Sequence, residues 1–266
     1  MLSTTAPIAI TPGVHVIKVG TPEMIELAER CGLPTLKSQI IDLPLTQQLN
    51  ALTIGRFAMQ SPSEALPYQY DILEMKVVLT GFIRVQDEQG TVHQADAGDM
   101  IVFAPPTRVT FLGDSDGTYC YVAHRSQEPL FSLAEAQALS FLAKPPGVYL
   151  VNAGTPEMVD LSERMAMPHL KSQIIDIPLT KQTEALTIGR FAMQASVDLP
   201  YQYDILEIKV ILRGTIRVRD EQGRIYAASQ GDMLVFLPPT SVVFMADSDG
   251  VAVYAAHRLK EPLFCP

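Results

Sequence analysis

Glu74-Met75-Lys76-Val77-Val78-Leu79-Thr80-Gly81 (EMKVVLTG) sets six residues between a glutamate and a glycine. Seventeen residues further on come Gly98-Asp99, and then Pro105-Pro106. The whole set returns as Glu207 to Gly214 and Gly231 to Pro239, so the chain is written twice. Working outward, Gly13 to Phe131 recurs as Gly147 to Phe264. Ala51 to Gln60 (ALTIGRFAMQ) returns unchanged as Ala185 to Gln194, and Leu36 to Asp42 (LKSQIID) as Leu170 to Asp176. The offset is 134 residues early and 133 later, so one residue is lost between Gln60 and Pro67. That segment reads SPSEAL in one copy and ASVDL in the other, which predicts a surface loop able to absorb the deletion. A repeat this long means two homologous domains.

Within each copy the chemistry is that of strands. Leu36 to Leu45, Ala51 to Gln60, Met75 to Gln86, Thr91 to Gln94, Met100 to Ala104, Arg108 to Leu112 and Thr118 to His124 are apolar or alternating runs, separated by turn residues. Asp87 to Gly90 and Asp114 to Gly117 carry the Asp and Gly of tight turns and recur in the second copy. Many short strands at regular spacing predict a sandwich or barrel. Thr21-Pro22-Glu23 and Thr155-Pro156-Glu157 read as the start of a short helix, with Thr as cap and Pro at the first helical position. Ser132 to Ala143, with Glu135 placed to complete a capping box, reads as a linker helix. The expected division is residues 1–131, a linker over 132–146, and residues 147–266.

Composition bounds the function. Charged residues make up 18% of the 266, and the 16 glycines and 20 prolines form no tract, which excludes disordered and collagen-like classes. A net charge of −9 argues against nucleic acid as a partner, because that affinity rests on cations displacing counterions. No apolar run is long enough for a membrane span, and the start lacks a basic region followed by an apolar block. Cys31, Cys120 and Cys265 form neither a disulfide set nor a metal-binding pair, and Met165, Val253 and Ser132 stand opposite them in the repeat. These features predict a soluble, cytoplasmic protein without a membrane or nucleic-acid partner.

The spacing of Glu74 to Gly81 and Gly98 to Pro106 resembles the two motifs of the cupin superfamily. The resemblance covers roughly residues 36 to 125 and 170 to 258. It implies an all-β chain of tandem double-stranded β-helix (jelly-roll) barrels with short helices, a bicupin. Metal-holding cupins use a His-x-His pair before the Glu and a further His after the second motif, since a divalent ion wants three or four converging ligands. Here Tyr68-Gln69-Tyr70 takes the place of the pair and Val109 that of the last His; Tyr201, Tyr203 and Val242 repeat the substitution. Glu74 and Glu207 alone survive, so no metal and no cofactor is expected. Tyr70-Asp71-Ile72-Leu73-Glu74 and Val109-Thr110-Phe111 also resemble the EutQ-type cupins of ethanolamine utilisation, apart from an Ile72-Leu73 insertion. That likeness implies a metal-free pocket tied to ethanolamine or related amine and carboxylate catabolism. The acetate kinase activity proposed for that type does not carry over, because no phosphate-binding glycine loop is present.

If Tyr68, Tyr70 and Glu74 point into the barrel, alternation sends Lys76 inward too. Burying either charge alone is costly, so Glu74 and Lys76 need each other, the phenols, Arg56 or a ligand. Arg56 shares a strand face with Ile54 and Ala58, and alternation alone does not say whether that face is the lumen. Arg190, Tyr201, Tyr203, Glu207 and Lys209 repeat the group. Of the five histidines, His15, His93 and His169 face Tyr149, Tyr226 and Thr35 in the other copy; only His124 and His257 match. On the face of Val122, His124 has two roles open: joining Tyr70 and Glu74 in a sparse metal site, or a hydrogen-bonded core residue.

Three functions compete. The first is a metal-independent bicupin binding a small polar or anionic metabolite as a sensor or accessory protein. The second is an isomerase, lyase or hydrolase using Glu74 and Tyr70 or an atypical metal. The third is a structural module whose strand faces make a homodimer, the association expected here.

Overall fold

A computed structural model describes residues 12–44, 52–124, 146–179 and 185–258. Two compact units emerge, and each is a pair of antiparallel sheets folded around one core. In the first, a large sheet runs in the order β11 (Gly147–Val151), β8 (Met100–Ala104), β6 (Glu74–Asp87), β10 (Asp116–His124), β4 (Leu52–Met59), β3 (Ser38–Pro44), β2 (Ile25–Glu26). A smaller sheet adds β7 (Val92–Asp96), β9 (Thr107–Phe111) and β5 (Leu66–Tyr70) to the far half of β6. The 14-residue β6 therefore belongs to both sheets. Gly81 makes the passage possible: its φ is +68°, and a Cβ there would overlap the Asp116 carbonyl. This wrapped pair of sheets is the jelly roll that the cupin resemblance implies.

The second unit repeats the pattern as β1 (Gly13–Ile17), β18 (Met233–Leu237), β16 (Glu207–Asp220), β20 (Asp249–Arg258), β14 (Ala185–Met193), β13 (Ser172–Pro178) and β12 (Val159–Asp160). β17 (Ile225–Ser229), β19 (Thr240–Phe244) and β15 (Leu199–Tyr203) complete it. The deleted residue falls in the loop between β14 and β15, as the repeat predicts.

The opening strand of each copy is exchanged. β1 pairs with β18, Gly13 opposite Leu237 and Ile17 opposite Met233, while β11 pairs with β8, Gly147 opposite Ala104 and Val151 opposite Met100. Residues 12–21 thus belong to the compact unit built mainly from the second copy, and 146–153 to the other. The aspartate of each Gly-Asp motif fastens the incoming segment. Asp232 accepts from Lys18 Nζ (2.8 Å), Val19 N (2.9 Å) and Ser229 N (2.9 Å). Asp99 accepts from Ala153 N at 2.5 Å and from Asp96 N at 3.0 Å.

The helices start later than Thr-Pro-Glu suggests. Ile25 and Glu26 are spent pairing with Ile40 and Gln39, so α1 is the single turn Ala28–Cys31. Its counterpart α2, Leu161–Arg164, is capped by Asp160, whose carboxylate accepts from Ser162 N at 2.6 Å. The expected linker helix at 132–143 lies outside the described residues. No described helix is long and apolar enough to cross a membrane.

Candidate functional site

Strand parity builds the site. On β6, Glu74, Lys76 and Val78 face the core of Phe57, Met59, Tyr70, Phe103 and Phe111, while Met75 and Val77 face the other side of the sheet. Lys76 Nζ lies 2.6 Å from Glu74 Oε1, and the Tyr70 hydroxyl donates to the same oxygen at 3.2 Å. Both charged side chains are buried, Lys76 with 3% of its surface exposed and Glu74 with 7%. The ammonium sits among rings, with centroids of Tyr121 at 4.4 Å, Phe57 at 4.9 Å and Phe111 at 5.9 Å. Such faces attract a cation, and more strongly where water is excluded. Tyr70 stacks on Phe103 (4.1 Å, 7°) and meets Tyr68 edge-on at 4.7 Å. Tyr68 itself is 50% exposed.

The second barrel repeats this almost atom for atom. Lys209 Nζ is 2.7 Å from Glu207 Oε1, Tyr203 donates to that oxygen at 3.2 Å, and Tyr254, Phe191 and Phe244 ring the ammonium at 4.5, 4.6 and 5.8 Å. Burial first, and then the neighbouring carboxylate, push the Tyr70 and Tyr203 phenols well above their ordinary value, so both stay protonated donors. A partly open cavity of about 30 Å³ reaches this pair in the second unit. Leu161, Met165, Ile174 and Leu199 give it apolar walls, with Glu207 and Lys209 at its polar end. A cavity needs roughly 10–15 Å³ on this measure to hold one water, so this one takes about two.

Sequence reasoning missed Tyr121 and Tyr254, which form part of the ring cage. Each crosses β4 or β14 to donate to a carbonyl of the next strand, Ile41 O at 3.0 Å and Ile175 O at 2.8 Å, beside Asp42 and Asp176. The crossing needs Gly55 and Gly189, where any Cβ would overlap the tyrosine ring. A signal was present: in the last strand Tyr119 and Cys120 change to Ala252 and Val253, but Tyr121 returns as Tyr254.

Two expected groups are elsewhere. Arg56 and Arg190 lie opposite in parity to Phe57 and Phe191, so they are buried on the reverse face of the large sheet and do not reach Glu74 or Glu207. Arg56 pairs in register with Cys120; burial pushes that thiol up to about 12, with the guanidinium charge pulling the other way. Arg190 donates to Thr155 O at 2.6 Å. His124 ends β10 opposite Leu52, His257 stands next to last in β20 opposite Leu186, and their side chains lie outside the described residues. Val122, whose face was assigned to His124, is on the side of Arg56 rather than Tyr121. Of the unmatched histidines, His93 bonds Asp87 at 2.8 Å, and its counterpart Tyr226 bonds Asp220 at 2.9 Å, the same job done by two side chains.

The donor set does not fit the divalent metal that the cupin resemblance would imply. Glu74 Oε1 already takes the ammonium and a phenol, the two phenols at the core hold their protons, and Val109 offers no donor. A divalent ion beside Glu74 would meet a like charge at contact range, where each unit pair costs about 4 kcal/mol at an effective dielectric near 20. Among the described residues no three His, Cys, Asp or Glu side chains gather as a metal site.

Barrel, exchanged strands and motif spacing define a tandem cupin fold. Solved structures of the same architecture include YlbA of Escherichia coli, of the DUF861 family, with a TM-score of 0.66 and 11% identity over 97% of this chain and 96% of that one. The E. coli pirin YhhW, in complex with nickel(II), aligns with a TM-score of 0.59 and 13% identity over 93% of this chain and all of its own. A mutant of the oxalate decarboxylase OxdC of Bacillus subtilis gives 0.52 and 14%, covering 85% and 74%. At these identities the likeness is one of fold. No protein-family model and no curated protein matches the chain.

Proposed function

We propose that this bicupin works without a metal and holds a small, polar, uncharged metabolite in its lumen. What carries the reading is the Tyr203–Glu207–Lys209 cluster at the polar end of an apolar-walled cavity. The anionic alternative loses its support, because Lys209 is already neutralised by Glu207 and Arg190 is on the other face. A neutral ligand bearing both a donor and an acceptor meets the carboxylate, the ammonium and the phenol without leaving surplus charge buried. Tyr68 and Tyr201 would flank the entrance.

The tie to ethanolamine or related amine and carboxylate catabolism rests on the resemblance at Tyr70 to Glu74 and Val109 to Phe111 alone. With it go a cytoplasmic setting, in keeping with the free Cys31 and Cys120, and a homodimer, which sedimentation equilibrium tests. The binding test is a thermal-shift panel of small amides, alcohols, aldehydes and carboxylates on the wild type and Lys209→Met. Neutral members should raise the transition of the wild type and not of the variant. A panel in which only carboxylates act, or none does, refutes the reading.

A further inference from the structure

Lys209 is a primary amine at the end of a cavity, with a carboxylate at 2.7 Å and a phenol bonded to that same carboxylate. A buried ion pair is often no more stable than apolar residues of similar volume, so packing alone does not call for a lysine here. We infer that Lys209 is a carbonyl-reactive amine that condenses reversibly with a small neutral aldehyde or ketone to form a protonated imine. The inference rests on the proposed lumen site and deepens it by naming the ligand class.

The chemistry balances without any co-reactant. Glu207 takes one proton from the Lys209 ammonium, freeing the nitrogen lone pair. That pair forms the N–C bond as the carbonyl π pair moves to oxygen, which is protonated from the Tyr203–Glu207 couple to give a carbinolamine. Transfer of a second proton from nitrogen by way of Glu207 lets the hydroxyl leave as water while the C=N bond forms. The sum is ammonium plus carbonyl compound going to iminium plus water, with the carboxylate and phenol restored. Charge is unchanged: the product cation stays beside Glu207 and inside the cage of Tyr254, Phe191 and Phe244, which hold an iminium as they hold the ammonium. Amines in apolar pockets with an adjacent base are the ones activated for this step. Cavity size limits the partner to a compound of about one or two carbons, its alkyl part against Leu161 and Met165.

The test is reductive trapping of full-length protein with acetaldehyde and cyanoborohydride, followed by peptide mapping. Lys209 should acquire an ethyl group before the exposed Lys37 and Lys171, and Glu207→Gln should slow that labelling on the order of a hundredfold, as loss of a general base does. Circular dichroism of the variant checks that it is folded, and Tyr203→Phe, which keeps the ring stack, gives a second, smaller slowing. Acetamide, which keeps the methyl and carbonyl groups but forms no imine, separates the two claims. If acetamide raises the wild-type transition but acetaldehyde labels only exposed lysines, the amine chemistry is overturned and the binding site stands. If acetamide has no effect and Lys209 is not labelled, both fall.

Discussion

Replacing Glu207 by Gln removes one charge from a pair that is nearly water-free, and the structure sets the size of the response. Lys209 would keep its three rings but lose its 2.7 Å carboxylate, and the Tyr203 hydroxyl would lose a charged acceptor. Breaking a buried pair in this way costs about 3–5 kcal/mol. Lys209→Met, which keeps an unbranched chain against Phe191 and Tyr254, strands the carboxylate and should cost a similar amount. The double variant Glu207→Leu with Lys209→Met buries no charge and should recover most of either loss, so its cost should fall several kcal/mol short of the sum of the two single costs. Two compact units make a single global transition unsafe to assume, so the assay is native-state hydrogen exchange read at Val210 and Val253, paired across β16 and β20. Single and double effects that simply add, or a Glu207→Gln cost below about 1 kcal/mol, would refute the account of a self-neutralised lumen.

Asp232 is the second test. Burial pushes its carboxyl up, but Lys18 and the Ser229 and Val19 amides outweigh that and hold it below the ordinary value. A depressed folded value means the stabilisation is present above the unfolded value near 3.9 and is lost as pH falls through the folded one. Exchange protection of β1 should therefore weaken only on acidification below about pH 4, and Asp232→Asn should weaken it at neutral pH by about 2 kcal/mol. Unchanged protection at Val14 and Val16 in that variant counts against the clamp. Gly189→Ala should cost about 3 kcal/mol by forcing Tyr254 off the Ile175 carbonyl, measured as a lowered denaturation midpoint; a neutral outcome would mean the tyrosine has room to move. Cys120, its thiol pushed up to about 12, should resist iodoacetamide at pH 8 until the chain unfolds, whereas the exposed Cys31 reacts; equal labelling would contradict the burial.

The repeat and the two motifs made the barrels legible, and period-two alternation from Glu74 was enough to bring Lys76 inward. Arg56 was not legible because both faces of the large sheet are buried: Ile54 and Ala58 beside it are as apolar as Phe57 and Met59, so hydrophobicity carried no sign of which way was in. The strand exchange was hidden for a different reason. Gly13-Val14-His15-Val16-Ile17 and Gly147-Val148-Tyr149-Leu150-Val151 are interchangeable as edge strands, and β8 and β18 offer them nearly the same partner. A duplicated chain supplies two equivalent pairings, and local sequence does not choose between them. β5 was overlooked as a strand because its Pro67 and exposed Tyr68 and Gln69 break the apolar pattern; among the described strands it is an edge, bonded to β9 alone, where proline is tolerated.

A glutamate buried in a barrel core is an anion that needs a cation. Position and alternation together solve that problem with one residue: the side chain two places along β6 emerges on the same face, and a lysine there reaches back to the carboxylate. The aromatic neighbours then do for the ammonium what water did outside, and a single glycine opposite admits the third ring. Glu-x-Lys at this point of the first motif, with Gly and Tyr paired on the neighbouring strands, is thus a physical signature of a lumen that carries its own cation. Its consequence is experimental: Lys76→Met with Lys209→Met should leave two uncompensated carboxylates, and the protein should then show a fresh acid-side gain in stability, since protonating them removes the buried charge. A Lys76→Met, Lys209→Met variant whose pH dependence matches that of the wild type would show that the ammonium was never what balanced the glutamate.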